Sequence, residues 1–161
     1  MAYGRICGLA AALALGLAGP AMGADPVKTA VFDFELVDTS MEGERAEHRL
    51  WLRLASEQMR KSLAASGKYS IVAVEPAGPR IADAGYLHGC NGCEAGIARD
   101  LGAQLAIAGV VHKVSTLILQ IAVTVRDAQS GEVRQAASVE VRGDTEESWV
   151  RGARYIAVNR L

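Results

Sequence analysis

Gln104-Leu105-Ala106-Ile107-Ala108-Gly109-Val110-Val111-His112-Lys113-Val114 is the stretch on which the fold turns. Leu105 to Val111 contains no polar side chain, the pattern of a strand buried on both faces. Two more strands follow, Thr116 to Arg126 and Glu132 to Val141. The first sets Leu117, Leu119, Ile121, Val123 and Val125 on one face, and Ile118 and Ala122 suggest partial cover on the other. The second sets Val133, Val139 and Val141 against Arg134, Glu140 and Arg142. Between them Asp127-Ala128-Gln129-Ser130-Gly131 is a five-residue hairpin turn. Three consecutive strands of this kind form a meander.

Upstream the pattern changes. Val27 to Leu36 is expected to be the first strand, with Asp33 breaking its apolar centre and bonded to nearby loop backbone rather than serving as a ligand. Trp51, Leu54, Ala55, Met59 and Leu63 recur at helical spacing and predict a helix from about Gly43 to Ala65, stopped by Gly67. Its Trp and Met stripe reads as core. His48, on or near the polar face, and Glu42, Glu44, Glu47 and Glu57 read as solvated. Tyr69 to Val74 predicts a second strand, and an irregular stretch then runs to Gly92. Glu94 to Leu101 predicts a short helix. A last helix is expected over Thr145 to Asn159, capped by Asp144 with Glu147 completing a capping box. The reading is an α/β fold: a mixed five-stranded sheet with packed helices, in the order β-α-β-α-β-β-β-α.

Residues 1–23 carry an address. Arg5 precedes an apolar run from Ile6 to Ala18, Gly19-Pro20 breaks it, and Ala21-Met22-Gly23 offers small residues at −3 and −1. Cleavage is expected after Gly23, or after Ala24, leaving one domain over 24–161. The run is short for a membrane span, which needs about 20 residues. No Cys follows the cut, so a lipid anchor is not indicated. Cleavage removes Cys7 and Arg5, which takes the formal charge of −1 one unit lower. The mature chain has no later apolar span, and in a diderm bacterium its compartment is the periplasm.

Composition narrows the function. Lys and Arg number 17 against 18 Asp and Glu, without the basic surplus of a nucleic-acid binder. Aromatics are 5%, too few for a base-stacking platform. Apolar residues are 50%, which excludes a disordered chain. The sequence contains no G-x-S-x-G, Walker-type loop or H-E-x-x-H.

One stretch carries chemistry: His88-Gly89-Cys90-Asn91-Gly92-Cys93-Glu94. Glu94 stands where covalent haem attachment needs His. Three readings remain open. In an oxidising compartment Cys90 and Cys93 can form a structural disulfide that pins the loop to the helix, with Gly89 and Gly92 supplying permissive backbone. A helix N-terminus also lowers a thiol pKa and suits disulfide exchange, although no proline after Pro79 is available for the cis-Pro of thioredoxin-like sites. Cys90, Cys93 and His88, with Glu94 or His112, could instead hold zinc or copper, although a structural zinc site normally brings a second ligand pair. His112 otherwise reads as a strand residue with an ordinary hydrogen-bond partner.

The opening Ala30-Val31-Phe32-Asp33-Phe34-Glu35-Leu36 with Asp38-Thr39-Ser40, the centre Gly89-Cys90-Asn91-Gly92-Cys93-Glu94 and the hairpin Arg126-Asp127-Ala128-Gln129-Ser130-Gly131 resemble a bacterial family of small secreted proteins known only as a domain of unknown function. The resemblance covers nearly the whole mature chain and brings no activity with it. Leu101-Gly102-Ala103 and Gly109-Val110 are more distantly similar to α/β domains of the curli-secretion-channel and TolB N-terminal type. That similarity implies an assembly or docking module of the envelope. The expectation is a secreted, non-enzymatic binding or accessory domain without a cofactor. Its partner would be an envelope or periplasmic protein, with neither nucleic acid nor a membrane span involved. The alternative is a redox-active or metal-handling protein built on the C-x-x-C.

Overall fold

The computed structural model describes residue 1 and residues 25–161. Apart from Met1, the expected signal peptide lies outside the described residues. The strands are β1 (Val27–Val31), β2 (Glu35–Asp38), β3 (Tyr69–Val72), β4 (Leu105–Lys113), β5 (Ile118–Asp127) and β6 (Val133–Arg142). The helices are α1 (His48–Ala65), α2 (Gly78–Ala84), α3 (Cys93–Asp100) and α4 (Glu146–Asn159). The main sheet order is β3-β1-β4-β5-β6. β1 runs parallel to β3 and β4, and the meander β4-β5-β6 is antiparallel. The α/β class and mixed sheet are those expected from the sequence.

The sixth strand arises because the expected first strand is broken at Phe32-Asp33-Phe34. β1 pairs with the start of β4 and β2 with its end, so both halves lie along one neighbour. The break is held from several directions. Phe32 N–H donates to Ile107 O at 3.0 Å, and Phe34 N–H donates to Ser56 Oγ at 2.8 Å. Arg60 donates to Val31 O and to Asp33 Oδ1, the latter at 2.6 Å. Asp33 is therefore an ion-pair partner of α1, not bonded to loop backbone. The two phenylalanines enter cores on opposite faces of the sheet. Phe34 lies on Gly109, where an added Cβ would sit 2.1 Å from the ring, so only glycine leaves the ring its place.

α1 and α4 cover one face. Leu119, Ile121, Val123 and Val125 of β5 meet Ala55, Met59, Leu63, Trp149 and Ile156 there. Leu117 does not join them: it lies in the turn before β5 and is 71% exposed. On the other face α2, α3 and two 3-10 turns, Glu75–Ala77 and Leu87–Gly89, pack over Ala30, Phe32 and Ala106. The stretch expected to be irregular up to Gly92 thus contains a short helix, started by Pro79 in its first turn.

Two helix starts differ from expectation. α1 begins at His48, without a side-chain cap. α4 is capped by Thr145, whose Oγ1 accepts from Ser148 N–H at 3.3 Å. Asp144, expected as the cap, points inward. In the β5–β6 turn Asp127 Oδ1 accepts from Gln129 and Ser130 N–H, and Oδ2 accepts from Arg134. The Ser130 backbone bond, the Arg134 side chain and the Gln129 backbone bond hold the Asp127 carboxyl down at about 2.

Candidate functional site

The sequence motif folds into a clasp at the mouth of α3. Cys90 and Cys93 are joined by a disulfide with Cα atoms 5.6 Å apart. Asn91 (φ 54°) and Gly92 (φ 103°) turn the chain between them. The left-handed backbone therefore falls on Asn91 and Gly92, and Gly89 is not needed for it. Both cysteines are half-buried.

Carboxylates on each side of the clasp fix its surroundings. Glu35, from β2, accepts Leu87 N–H at 2.7 Å and His88 N–H at 2.9 Å, and its Oε2 lies 2.6 Å from His88 Nδ1. Glu94 is only 3% exposed. Arg126 Nε donates to its Oε1 at 2.6 Å and Arg126 also donates to Gly131 O. Glu94 Oε2 lies 3.4 Å from Cys90 Sγ. In the disulfide that sulfur carries no proton; a free Cys90 thiol would be placed to donate to Glu94 or to Leu87 O. Between His88, Glu94, Arg126 and the strand residues Ala108, Val110 and Thr124 lies a cavity of about 160 Å³.

Among the described residues, Cys90, Cys93 and Glu94 bring one ligand atom each within 4.8 Å of one another. With the disulfide reduced, that thiolate and carboxylate set is the one that could hold zinc or copper. His88 is taken up by Glu35, and His112 lies elsewhere on β4 with Nε2 2.9 Å from Thr39 Oγ1.

Above and beyond the clasp the sheet is left open. α2 and α3 stop over β3, β1 and the start of β4. Past them Ala122 and Thr124 of β5 are half-exposed, and Ala136 and Ser138 of β6 are exposed. These small side chains make a shallow surface whose rim is set by His88 and Arg126, each held by its own carboxylate.

A second polar cluster was not legible from local pattern. His48, expected to be solvated, is fully buried, with its ring stacked 5.2 Å from that of Trp149. Its Nδ1 accepts Arg45 N–H at 3.1 Å, and its Nε2 lies 3.0 Å from Asp144 Oδ2 and 3.3 Å from Arg45 Nε. Asp144 also accepts from Arg45 and from Trp149 Nε1. Lys113, 1% exposed at the end of β4, lies 3.4 Å from Asp38, 3.2 Å from Glu42 and 3.6 Å from Asp144. Glu42 is thus an ion-pair partner lying before α1.

Burial alone would raise the Asp38 carboxyl. Hydrogen bonds from the Ser40 side chain and backbone and from Lys113 outweigh it and hold the group below its ordinary value. Burial likewise opposes a charged Lys113, but hydrogen bonds to Glu42 and Asp38 and the charges of Asp38 and Asp144 push its pKa up. The cluster is a fully partnered ionic lock, which ties the loop before α1 to the ends of β2 and β4 and to the start of α4. One signal for it was available: Lys113 continues the alternation of Ile107, Gly109 and Val111 into the core.

The fold has known relatives. The LpoB C-terminal domain from Salmonella enterica superposes with a TM-score of 0.53 at 20% identity, over 76% of this chain and 86% of that one. A PelC dodecamer subunit from Paraburkholderia phytofirmans gives 0.51 at 13%, over 83% and 85%. Lipoprotein GNA1162 from Neisseria meningitidis gives 0.52 at 11%, over 74% and 83%. These likenesses concern the fold. No curated protein matches the sequence. A family model described as "Protein of unknown function (DUF2380)" matches residues 27–161, and the chain belongs to that family, DUF3280.

Proposed function

We propose that the chain is an exported, non-enzymatic accessory domain that binds another protein of the cell envelope. The contact surface is the uncovered face of β4, β5 and β6, and the Cys90–Cys93 disulfide holds its rim. The observation that carries this reading is the shallow surface at Ala122, Thr124, Ala136 and Ser138, bordered by two side chains, His88 and Arg126, that are locked before any partner arrives. Preorganised polar groups around small residues favour a protein partner, because little side-chain entropy is lost on contact. The buried charges are spent on each other. Among the described residues, every buried side-chain polar atom has a hydrogen-bond partner.

Export is supported by the run of residues 5–23 and by the cysteine pair. An envelope setting is supported by the fold shared with a protein named as a lipoprotein. The similarity of Leu101-Gly102-Ala103 to the envelope docking type points the same way.

The experiment places a photo-crosslinking amino acid at Thr124 in the exported protein, with a control at Glu57 on α1. A single adduct at Thr124, whose purified partner binds the wild-type chain and binds Thr124→Arg at least about tenfold more weakly, is expected. Equal adducts at both positions, or binding unaffected by Thr124→Arg, would contradict the reading.

A further inference from the structure

β1 and β3 are parallel neighbours whose chains leave for opposite faces of the sheet. After β1 the chain passes through β2 to α1, which packs on one face. After β3 it turns into α2, which packs on the other. In open α/β sheets a crevice forms outside the carboxyl ends of strands that part in this way, and ligands bind there. The break at Asp33 widens it. The ladder between β1 and β3 ends at Ala30 and Val72, and beyond it β2 pairs with β4 alone.

A cleft of about 400 Å³ lies at this place. Small-molecule sites have volumes of roughly 300–1,000 Å³. One wall is α1, with Arg53, Glu57 and Arg60. The other is the turn and helix after β3, with Glu75 and Ile81. Asp33 and Val74 lie between them, just past the strand ends.

The charges of the cleft are only partly spent. Arg60 donates from Nε and Nη2 to Val31 O, and from Nη2 to Asp33. That fixes a half-buried guanidinium and leaves its Nη1 unused. Glu57 lies 3.8 Å from Lys61. Among the described residues, the side chains of Arg53 and Glu75 have no ion-pair or hydrogen-bond partner, and they do not pair with each other across the cleft. One unanswered cation thus stands on the α1 wall and one unanswered anion on the wall opposite. A simple anion would be repelled by Glu75, and a simple cation by Arg53. A ligand carrying both signs answers both, and Val74 and Ile81 give it an apolar contact.

We infer that this cleft binds a dipolar small molecule, an amino acid or a dipeptide. Its carboxylate lies on Arg53 and on Nη1 of Arg60, its ammonium on Glu75, and its apolar part on Val74 and Ile81. Arg60 is held in place before the ligand arrives, so it loses little side-chain entropy on contact. The inference goes beyond the protein-binding role and does not depend on it: the cleft shares no residue with the surface around Thr124.

The test is an NMR titration of the mature chain with leucine and with alanyl-leucine, the dipeptide also being used with its amine acetylated and with its carboxylate amidated. Saturable shifts of the Asp33, Glu75 and Ile81 amides are expected at or below about 10 mM of the free compounds. The tighter of the two shows whether an amino acid or a dipeptide is the better fit. Blocking either end is expected to weaken binding about tenfold or more. Arg53→Gln should weaken alanyl-leucine and cease to discriminate against its amide. Glu75→Gln should cease to discriminate against the acetylated form. Both variants change exposed side chains without partners, and their spectra report that the fold is kept. The absence of saturable shifts with both free compounds overturns the inference. So does equal binding of the blocked forms to the wild type, or binding that neither substitution changes.

Discussion

His48 Nε2 and Asp144 Oδ2 lie 3.0 Å apart in the interior, 96 residues apart in sequence. The contact ties the first residue of α1 to the residue before the cap of α4. Arg45, Lys113 and the Trp149 indole converge on the same carboxylate. Asp144→Ala would take the carboxylate from the buried His48 ring and the Trp149 indole, while Lys113 keeps Asp38 and Glu42 and the half-exposed Arg45 keeps the Asp144 backbone carbonyl. A loss of about 1–3 kcal/mol is expected, the cost of leaving a buried polar group without its partner. Asp144→Asn, which keeps acceptor capacity, should cost less. Urea denaturation of both variants measures the difference, and equal losses would show that the charge network does not depend on the carboxylate.

The ionic lock also sets a pH dependence. Asp38 is held below the ordinary aspartate value of 3.8, so its contribution to stability is present above that value and is lost as pH falls through the lowered one. Lys113 is raised above 10.5, so its contribution is present below that value and is lost as pH rises through the raised one. Denaturation midpoints of wild type and Asp38→Asn should therefore converge in acid, below the ordinary aspartate range. Midpoints of wild type and Lys113→Met should converge only in strong alkali. A wild-type advantage over Asp38→Asn that is constant from neutral pH into strong acid would rule out this assignment.

Gly109 faces the Phe34 ring across the break between β1 and β2. Gly109→Ala forces the ring or the strand to move and is expected to cost about 1–3 kcal/mol. Combining it with Phe34→Leu should recover part of the loss, because a smaller side chain makes room. Thermal melts of the two variants and their combination measure the coupling, and strict additivity would mean that the ring is not what excludes the methyl group.

The clasp encloses a very small loop, so its contribution should sit at the low end for disulfides. Cys90→Ser with Cys93→Ser is expected to cost about 2 kcal/mol or less and to leave the fold intact. Its main effect should be on order around His88, read as faster amide exchange at Leu87 and His88, whose N–H groups Glu35 accepts. The reduced wild type, titrated with zinc, tests the three-ligand set. Tight one-to-one binding lost in Glu94→Gln would favour metal handling, and the absence of binding would leave the disulfide as the working state.

Much of this architecture could be read along the chain because it is periodic. The alternation of Leu119, Ile121, Val123 and Val125 and the stripe from Ala55 to Leu63 follow from one buried face per element. The C-x-x-C was legible from spacing and compartment. The break at Asp33 was not, because the groups that satisfy it, Ser56 and Arg60, lie on α1. His48 was misplaced for a related reason. It falls seven positions before Ala55 on the buried stripe, but its polarity outweighs that spacing until Asp144 is known to lie against it. Asp144 itself fits a capping pattern locally, and long-range pairing with Arg45, His48 and Lys113 overrides it. The open face is a consequence of where the helices stop, which no local pattern encodes.

Site-specific photo-crosslinking from Thr124 in the exported chain tests the proposed role most directly. The account predicts one dominant protein adduct there, absent from Glu57 and lost with Thr124→Arg. Adducts no different between the two faces, or an adduct that survives Thr124→Arg, would contradict it.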